Sequence, residues 1–322
     1  MVHRRQCIVH SNVSNSQLFI QTLNRSSSLM KKKIRFIINP KSGVSSKDEI
    51  PDLINRLVDR DQYDFEICFT EAPKHGTILS LESAVKKYHA VISIGGDGSA
   101  NEVATGLQKS ETALGIIATG SGNGMARHLN IPMDIKKALH VINTGRIEKI
   151  DTLRVNEEFC LGTIGVGFDA HIAHLFAASS KRGYSTYVKL VLSEFYKYHP
   201  ISFDISVDGQ HISKKCFLLT IANSSQFGNN AVIAPFADVQ DGIIDITMMR
   251  KFAFIFAPHL IWRLMNNVIH KSRFFSMMRG KNIFLKNSGE LKGHIDGEPV
   301  TFNGDLHIDI IPASLNVIVP SN

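Results

Sequence analysis

Residues 93–103 read SIGGDGSANEV, three glycines around one aspartate with Asn101 and Glu102 directly behind them. The run before them, Ala90-Val91-Ile92-Ser93-Ile94, is short, apolar and rich in β-branched residues, and Val103, Leu107 and Gln108 follow at helical spacing. The stretch therefore reads as strand, glycine turn, helix. Glycines let the backbone take positive φ and approach another molecule closely, and the helix behind them turns its free N–H groups toward the turn. That makes an anion site, most often for phosphate. An aspartate beside phosphate needs a cation such as Mg²⁺ between them, or a proton to accept from an attacking hydroxyl. A plain Asp-Gly helix cap would give the same residues, so the GGDG run alone does not decide.

Two more small turns follow neighbouring strands. NPKSG (39–43) ends the strand IRFIINP, and ATGSGNGMARHL (118–129) ends LGIIA. Between them Ile50, Leu53, Ile54, Leu57 and Val58 predict one face of a helix, FEICFT a strand, and Ile78, Leu81, Val85 and Tyr88 a second helical face. Such β-α alternation implies a parallel sheet with helices on both faces and a ligand at the carboxyl ends of its strands. Three strand ends with N–H-rich turns are what a polyphosphate requires.

After about residue 150 the pattern changes to strands and turns: KIDTLRV, EFCLGTIGVGF, ISFDISV, KCFLLTIAN, GIIDITMM, NIFLK, GHIDGEPV and LHIDIIPASLNVIVP, with helices over roughly 169–198 and 252–269. The expected fold is an α/β nucleotide-binding domain (31–150) followed by a mostly antiparallel β domain with inserted helices (151–309). The cleft between the domains would take a second substrate.

Composition agrees with a folded chain of about two domains: 322 residues, 43% hydrophobic and 20% charged. Cys7, Cys68, Cys160 and Cys216 are scattered without CxxC spacing, which fits a reducing compartment and argues against a zinc or disulfide scaffold. No stretch reaches the ~18 apolar residues of a membrane span. Residues 1–29 carry Arg4, Arg5, Arg25, many serines and no acid, and are expected to be a disordered extension, either a stretch ahead of a natural start at Met30, the favoured reading, or an organellar targeting segment. GxxxxGK[ST], HExxH and GxSxG are absent, and the glycines 120, 122 and 124 lack dinucleotide spacing. His171 and His174 could share a helical face but have no further clustered ligands around them.

NPKSG, GGDGSANEVATGL, GSGNGMARHL, GVGFDA, ANSSQFGNNAVIAPFADVQDGIIDI and IDGEP, in that order, resemble the diacylglycerol kinase catalytic-domain superfamily over roughly residues 33–320. That superfamily includes bacterial lipid kinases and sphingosine and ceramide kinases; its nucleotide domain is of the NAD kinase/diacylglycerol kinase type. The resemblance implies transfer of the ATP γ-phosphoryl group to a lipid hydroxyl, with Mg²⁺, on a two-domain fold whose last segment, about residues 310–322, returns to the nucleotide domain. Position by position it implies that Asn39, Gly95, Gly96, Asp97, Gly98 and Ser99 hold phosphates and metal, with Asp97 the metal contact. Ser99 stands where the family usually has Thr. Glu102 resembles a nucleotide-site acid, Thr119, Gly120, Ser121, Gly122 and Asn123 would line the nucleotide, and Arg127 would follow on the helix. Asp169 resembles a contact to the lipid hydroxyl, Lys181 or Arg182 a phosphate contact, and Asp296 and Glu298 the acidic pair brought to the cleft. Many diacylglycerol kinases have Asp where this chain has Gly124, and the GSGN form also occurs among sphingosine kinases, so the acceptor lipid stays open.

Phosphoryl transfer asks the protein mainly for alignment and charge neutralisation. Asp97 and Glu298 are both candidates for the base that takes the acceptor proton, and the choice between them stays open at this level. A non-catalytic nucleotide- or lipid-binding module is disfavoured because Asp97, Glu102, Asp169, Asp296 and Glu298 are all present. A soluble-substrate kinase resembling NAD kinase is disfavoured by the lipid-kinase form of residues 160–250.

Residues 250–286 contain eight Lys and Arg and no acid, interleaved with Phe252, Phe254, Phe256, Trp262, Phe274 and Phe275. The expected partners are a lipid substrate and an anionic membrane surface, and not nucleic acid, for which no motif is present. The expected location is cytoplasmic, peripheral at the inner face of the membrane. The oligomeric state, a homodimer included, is left open.

Overall fold

A computed structural model of the chain describes residues 31–43, 48–179 and 184–321. The expected N-terminal extension, and Lys181 and Arg182, lie outside the described residues. The chain opens with β1 (Lys32–Ile38), α1 (Ile50–Leu57), β2 (Tyr63–Phe69), α2 (His75–Val85), β3 (Ala90–Gly95), α3 (Asp97–Leu107), β4 (Ala113–Ala118), α4 (Gly124–His128) and α5 (Ile135–Thr144). It continues with β5 (Arg146–Val155), β6 (Glu158–Cys160), β7 (Thr163–Gly167), α6 (Phe168–Ala178), α7 (Tyr184–Glu194), β8 (Ile201–Val207), β9 (Gln210–Cys216), β10 (Leu218–Ala222) and β11 (Ile244–Met249). The last elements are α8 (Ala257–Met265), β12 (Phe275–Gly280), β13 (Asn282–Lys286), β14 (Glu290–Ile295), β15 (Glu298–Asn303) and β16 (Leu306–Val319).

Strands β2-β1-β3-β4 are parallel neighbours, and every residue of β3 and β4 is buried, as strands covered on both faces must be. The three small turns therefore leave adjacent strand ends, those of β1, β3 and β4. The first sheet does not stop there: it runs on through β16, β13, β8 and β9, with β5 beside β16 and β6 beside β5. β16 lies parallel to β4, Val317 facing Leu114, and antiparallel to β13 and β5. Its register with β5 shifts between Ile311 and Leu315, where Ala313 takes φ 48°. That bulge lets one 14-residue strand serve both halves of the molecule. The two halves thus share a sheet, and β5 and β16 run straight through the boundaries expected at 150 and 310.

The second sheet, β12-β11-β10-β7-β14-β15, is antiparallel throughout. Side chains alternate across it. Ile164, Val166, Leu219, Ile221, Ile244, Ile246 and Met248 face the first sheet and pack on Ile205, Val207, Ile283, Leu285 and Ile308. The other face lies under α6, α7 and an aromatic cluster that includes Phe168, Phe195, Phe217, Phe252, Phe254 and Phe275.

Two readings of the sequence are corrected. The face Ile78, Leu81, Val85 does not point inward: these residues are 64%, 54% and 74% exposed. α2 instead buries Gly76, Ser80 and Ser83, because α3 presents Gly106 to it so closely that a Cβ there would lie 2.2 Å from Ser80 Oγ. Small residues let the two backbones approach, and larger apolar ones are excluded from the contact. Second, β9 and β12 are strands the sequence reading did not name: QHISKKC is mostly polar, and FSMMRG has Met277 and Met278 side by side in place of an apolar–polar alternation. Helix α5, capped by Asp134 accepting from Lys137 N–H at 2.9 Å, was also not anticipated.

Candidate active site

The loops after β1, β3 and β4 lock together through backbone and small side chains. Asn39 N–H donates to Ile94 O at 3.0 Å, and Asn39 Nδ2 donates to Ser99 Oγ at 3.0 Å, so the first loop is tied to the GGDG turn. Thr119 N–H donates to Gly95 O at 2.7 Å and ties the third loop to the same turn. Glycine is required where these loops touch. A Cβ on Gly120 would stand 2.5 Å from Gly96 Cα, one on Gly95 2.4 Å from Ser99 Cβ, and one on Gly43, at φ 75°, 2.1 Å from Thr119 O. Gly96 itself is less crowded, its nearest neighbour being Gly120 Cα at 3.4 Å. Asn123 takes φ 58°, and its Nδ2 donates to Gly120 O at 2.8 Å while its Oδ1 is buried without a partner. Ser121 is exposed at the rim. The space under the loops, lined by Gly96, Asp97, Ala118, Asn123 and Met125, measures about 10 Å³, room for about one water. A nucleotide would therefore lie over the loops, against their outer surface.

Asp97 is the first residue of α3, and Met125 N–H approaches its Oδ1 at 3.4 Å. Burial first, and then the charge of Asp296, push its carboxyl up to about 6; the N–H groups of Met125, Asn123 and Gly124 act in the opposite direction. Glu298 stands on the other side of Gly98, where a Cβ would meet Glu298 Oε1 at 2.8 Å. Glu298 is exposed, and the hairpin that carries it is the expected Asp-Gly turn, with Asp296 at φ 49° and Gly297 at φ 83° between β14 and β15. The structure thus brings residues 39, 95–99, 119–123 and 298 to one place.

Two predicted acids are placed differently. Asp296 accepts from Asn101 Nδ2 at 2.6 Å and from the N–H groups of Leu161, Gly162 and Thr163 at 2.8, 2.7 and 2.9 Å. Its oxygens hold the entry to β7, and it acts on Asp97 through charge. Glu102 accepts from Lys74 N–H at 2.9 Å and Gly76 N–H at 3.1 Å, and so caps α2. Both carboxylates expected to meet the nucleotide are already engaged by protein donors.

The loop after β10 reaches back to the three glycine-rich loops, which the sequence did not disclose. Gly228, Asn229 and Asn230 all take positive φ, and Asn229 N–H donates to Gly122 O at 3.0 Å. Arg127 joins the two: Nε donates to Gly122 O at 3.2 Å and Nη1 to Asn230 Oδ1 at 2.8 Å. The Gly-Asn-Asn run was the available signal, since glycine and asparagine are the residues that tolerate this backbone.

Asp169 opens α6 and is 8% exposed. Its Oδ2 lies 3.2 Å from His294 Nε2 and 3.3 Å from Thr220 Oγ1, and its Oδ1 is buried without a partner. Burial, and then Asp169, also push the Tyr198 hydroxyl up. Tyr198 lines a cavity of about 250 Å³ with Gly167, His171, Ile201, Glu290, Leu291 and Lys292. His171 and His174 are used structurally, His171 with Glu194 at 3.0 Å and His174 against Gly293 O and Val300 O at 3.1 Å. Among the described residues no group of three or more His, Cys, Asp or Glu could hold a metal ion without outside ligands.

Comparison with known proteins places these loops in a family. The diacylglycerol kinase catalytic domain matches residues 33–155, and the YegS C-terminal NAD kinase beta sandwich-like domain matches residues 162–319. A protein of Chromohalobacter salexigens named "Probable lipid kinase YegS-like" is 26% identical over 251 residues, 76% of this chain and 80% of its own length. A Staphylococcus aureus protein named diacylglycerol kinase is 25% identical over 293 residues, 87% of this chain and 92% of its own. The crystal structure of a diacylglycerol kinase from Bacillus anthracis str. Sterne covers 90% of this chain and 97% of its own with a TM-score of 0.68; at 19% identity it speaks to the fold.

Proposed function

The chain belongs to the diacylglycerol kinase catalytic-domain family of lipid kinases, and from that membership we propose that it transfers the γ-phosphoryl group of ATP to the hydroxyl of a membrane lipid, a diacylglycerol or a sphingoid-type lipid. The observation that carries the proposal is Asp97: a carboxyl pushed up to about 6, at the meeting point of three glycine-rich loops. A base works best when its proton affinity lies near the working pH.

In this reading the loop glycines hold the triphosphate by close backbone approach, as the crowding at Gly43, Gly95 and Gly120 supports. No Walker lysine exists in the chain. Mg²⁺ arrives with the phosphates and needs only one or two protein carboxylates, which agrees with the absence of a self-contained metal cluster among the described residues. Glu298, exposed and across Gly98 from Asp97, supplies the adjoining carboxylate, and the metal contact first expected of Asp97 passes to it. When bound, the cation offsets charge on the transferring group. Asp97 takes the proton from the lipid hydroxyl as the new P–O bond forms, while the bond from the γ-phosphorus to the bridging oxygen breaks and ADP leaves with that electron pair. Asp296 adds to the burial that keeps Asp97 from ionising too early. Asp169 accepts the hydrogen bond of the acceptor hydroxyl as the lipid docks, and the hydroxyl, which has one proton to donate, turns it to Asp97 when transfer begins. The lipid is reached at the bilayer surface, by peripheral docking.

Transfer of labelled phosphate from ATP onto diacylglycerol, sphingosine, ceramide, monoacylglycerol and undecaprenol in mixed micelles tests the proposal. Labelling of at least one lipid, with ATP turnover dependent on it, is expected; lipid-independent turnover or none overturns it. The limb of the pH profile near 6 disappears in Asp97→Asn and persists in Glu298→Gln, which instead needs more Mg²⁺. The reverse pattern exchanges the two roles.

A further inference from the structure

The outer face of the second sheet carries an unexpected polar row. Register places His294 of β14 opposite Gly165 of β7, Gly165 opposite Thr220 of β10, and Thr220 opposite Thr247 of β11. His294, Thr220 and Thr247 are 4%, 0% and 0% exposed, beneath an aromatic roof that includes Phe168 and Phe217. Asp169 is set down on this row from α6. Gly165 makes the space: a Cβ there would stand 2.1 Å from both Asp169 Oδ2 and His294 Nε2. Two oxygens in the row, Asp169 Oδ1 and Thr247 Oγ1, are buried without a partner. Buried polar atoms are almost always satisfied, so Asp169 Oδ1 calls for a partner from outside the chain, a water or a ligand.

The hydrogen bonds fix the state of the histidine. Gly297 N–H donates to His294 Nδ1 at 3.3 Å, so Nδ1 is the acceptor and the proton is on Nε2. Nε2–H then donates to Asp169 Oδ2, which also receives the Thr220 hydroxyl. With Oδ2 occupied by two donors, Oδ1 is the oxygen left to accept. Gly297 is the turn residue between Asp296 and Glu298. One imidazole therefore spans from the hairpin that carries the catalytic-side acids to the carboxylate that faces the acceptor.

Position along β7 gives the direction of the row. Thr163, Gly165 and Gly167 share one face; Thr163 N–H binds Asp296, Gly165 lies under the His294–Asp169 pair, and Gly167 lines the 250 Å³ cavity. At about 3.3 Å per residue, the pair sits roughly 7 Å along the strand from the acids and the same distance from the cavity. Acids, acceptor carboxylate and cavity follow one line.

We propose that His294 is the positioning residue of the acceptor site: it holds Asp169 by Oδ2 so that Oδ1 receives the lipid hydroxyl, and it couples that carboxylate to the Asp296–Glu298 turn. The proposal rests on the lipid-kinase reading, and the experiment separates the two. Initial rates are measured with dioctanoylglycerol and with sphingosine in mixed micelles, varying lipid and ATP separately. In His294→Phe, which keeps a flat ring and loses the donor, kcat/KM for lipid falls roughly 10- to 100-fold while the KM for ATP stays within about twofold. His294→Gln, whose amide nitrogen falls near Nε2, recovers most of the loss; His294→Asn, whose amide nitrogen falls near Nδ1, does not. The Gln/Asn pair keeps the test decisive should the Phe variant fold poorly, as thermal melts will show. Equal behaviour of Gln and Asn, or parallel loss toward ATP and lipid, overturns the proposal. A wild-type enzyme inactive on every lipid overturns the lipid-kinase reading itself.

Discussion

The phosphate loops and the acceptor row solve opposite problems with opposite materials. The loops after β1, β3 and β4 are mainly backbone: peptide N–H groups, carbonyls and glycine Cα atoms meet there, Gly120 against Gly96 and Gly43 against Thr119, with the short side chains of Asn39, Ser99 and Asn123 as ties. The acceptor row is side chain: Asp169, His294 and Thr220, all at most 8% exposed, joined across 125 and 51 residues of sequence. Backbone donors suit a phosphate, whose charge is spread over several oxygens. A single hydroxyl needs one oriented oxygen, and only a locked side chain gives that. Damage to the loops should therefore be steric and fall on ATP, whereas damage to the row should be electrostatic and fall on the lipid.

Asp97 stands between the two regions and gives the largest expected effect. Asp97→Asn lowers kcat by roughly 10²–10⁴-fold. It also makes the unliganded protein more stable at neutral pH. Below the ordinary value of 3.8 the carboxyl is protonated in both folded and unfolded chains. Between that value and about 6 the folded chain retains a proton that the unfolded chain has lost, so stability declines as pH rises through this window and stays lower above it. Asparagine removes that decline. A melting temperature raised on the order of a few degrees at pH 7.5 and unchanged near pH 3.5 is the expected outcome; a variant less stable than wild type at pH 7.5 would show that Asp97 is not strained by its surroundings.

The steric side of the comparison is sharpened by two neighbouring glycines. Gly120→Ala puts a methyl 2.5 Å from Gly96 Cα, whereas Gly96→Ala finds its nearest atom at 3.4 Å. Displacing a catalytic loop by about an ångström costs roughly 10²-fold. Gly120→Ala should lose that much in kcat/KM for ATP, and Gly96→Ala much less. Equal losses would mean that the loops are not packed backbone to backbone, and a loss confined to the lipid KM would break the comparison outright.

Why one region could be read in the sequence and the other could not follows from the same difference. A glycine turn after a strand is local, so the loops at residues 39–43, 95–99 and 118–124 declared themselves by residue type alone. The Asp-Gly hairpin at Asp296 and Gly297 did so too. The His294–Asp169 pair depends on two strands and a helix meeting over Gly165, which no local pattern encodes. The misread face of α2 has the same cause: Ile78, Leu81 and Val85 are at helical spacing, but what α3 offers is Gly106, and it selects Ser80. Glu102 and Asp296 were recognised as important acids, and only the folded chain shows that their oxygens are spent on Lys74, Gly76 and residues 161–163.

Arg127 bridges the loops to the second half of the molecule, and its removal should have an intermediate effect. Arg127→Met keeps the stem and loses the donors to Gly122 O and Asn230 Oδ1. At about 0.5 kcal/mol for each of these two partly exposed hydrogen bonds, a roughly fivefold rise in the KM for ATP is expected. A double-mutant cycle with Asn230→Ala should show coupling; strict additivity would mean that the two halves do not communicate through this contact.

The smallest expected effect concerns how the acceptor row is reached from a bilayer. The aromatic roof over that row is not closed on its outer side: Ile255, Ile261, Trp262 and Met265 are 82%, 58%, 56% and 48% exposed around α8, and Tyr196 is 66% exposed beside them. Among the described residues no helix is long and apolar enough to cross a membrane; the contact proposed for this stripe is with the bilayer surface. The basic side chains of residues 250–286 are not equal. Arg279 is paired with Asp241 and Asp245, and Arg273 lies over the rings of Phe256 and Phe274, whereas Lys271 and Lys281 are exposed. Anionic lipid attracts a basic side chain by about 1 kcal/mol near the surface. Lys271→Gln with Lys281→Gln should therefore weaken partition onto vesicles containing phosphatidylglycerol several-fold, with the difference vanishing in high salt, while Arg279→Gln should alter stability more than partition. Trp262→Ser with Ile261→Ser should weaken binding to anionic and neutral vesicles alike. Vesicle co-sedimentation reads all of these directly. If partition is unchanged by both pairs while kcat/KM toward micellar lipid is also intact, the α8 stripe is not the route to the acceptor row, and the lipid must enter from the side lined by Tyr198 and Lys292.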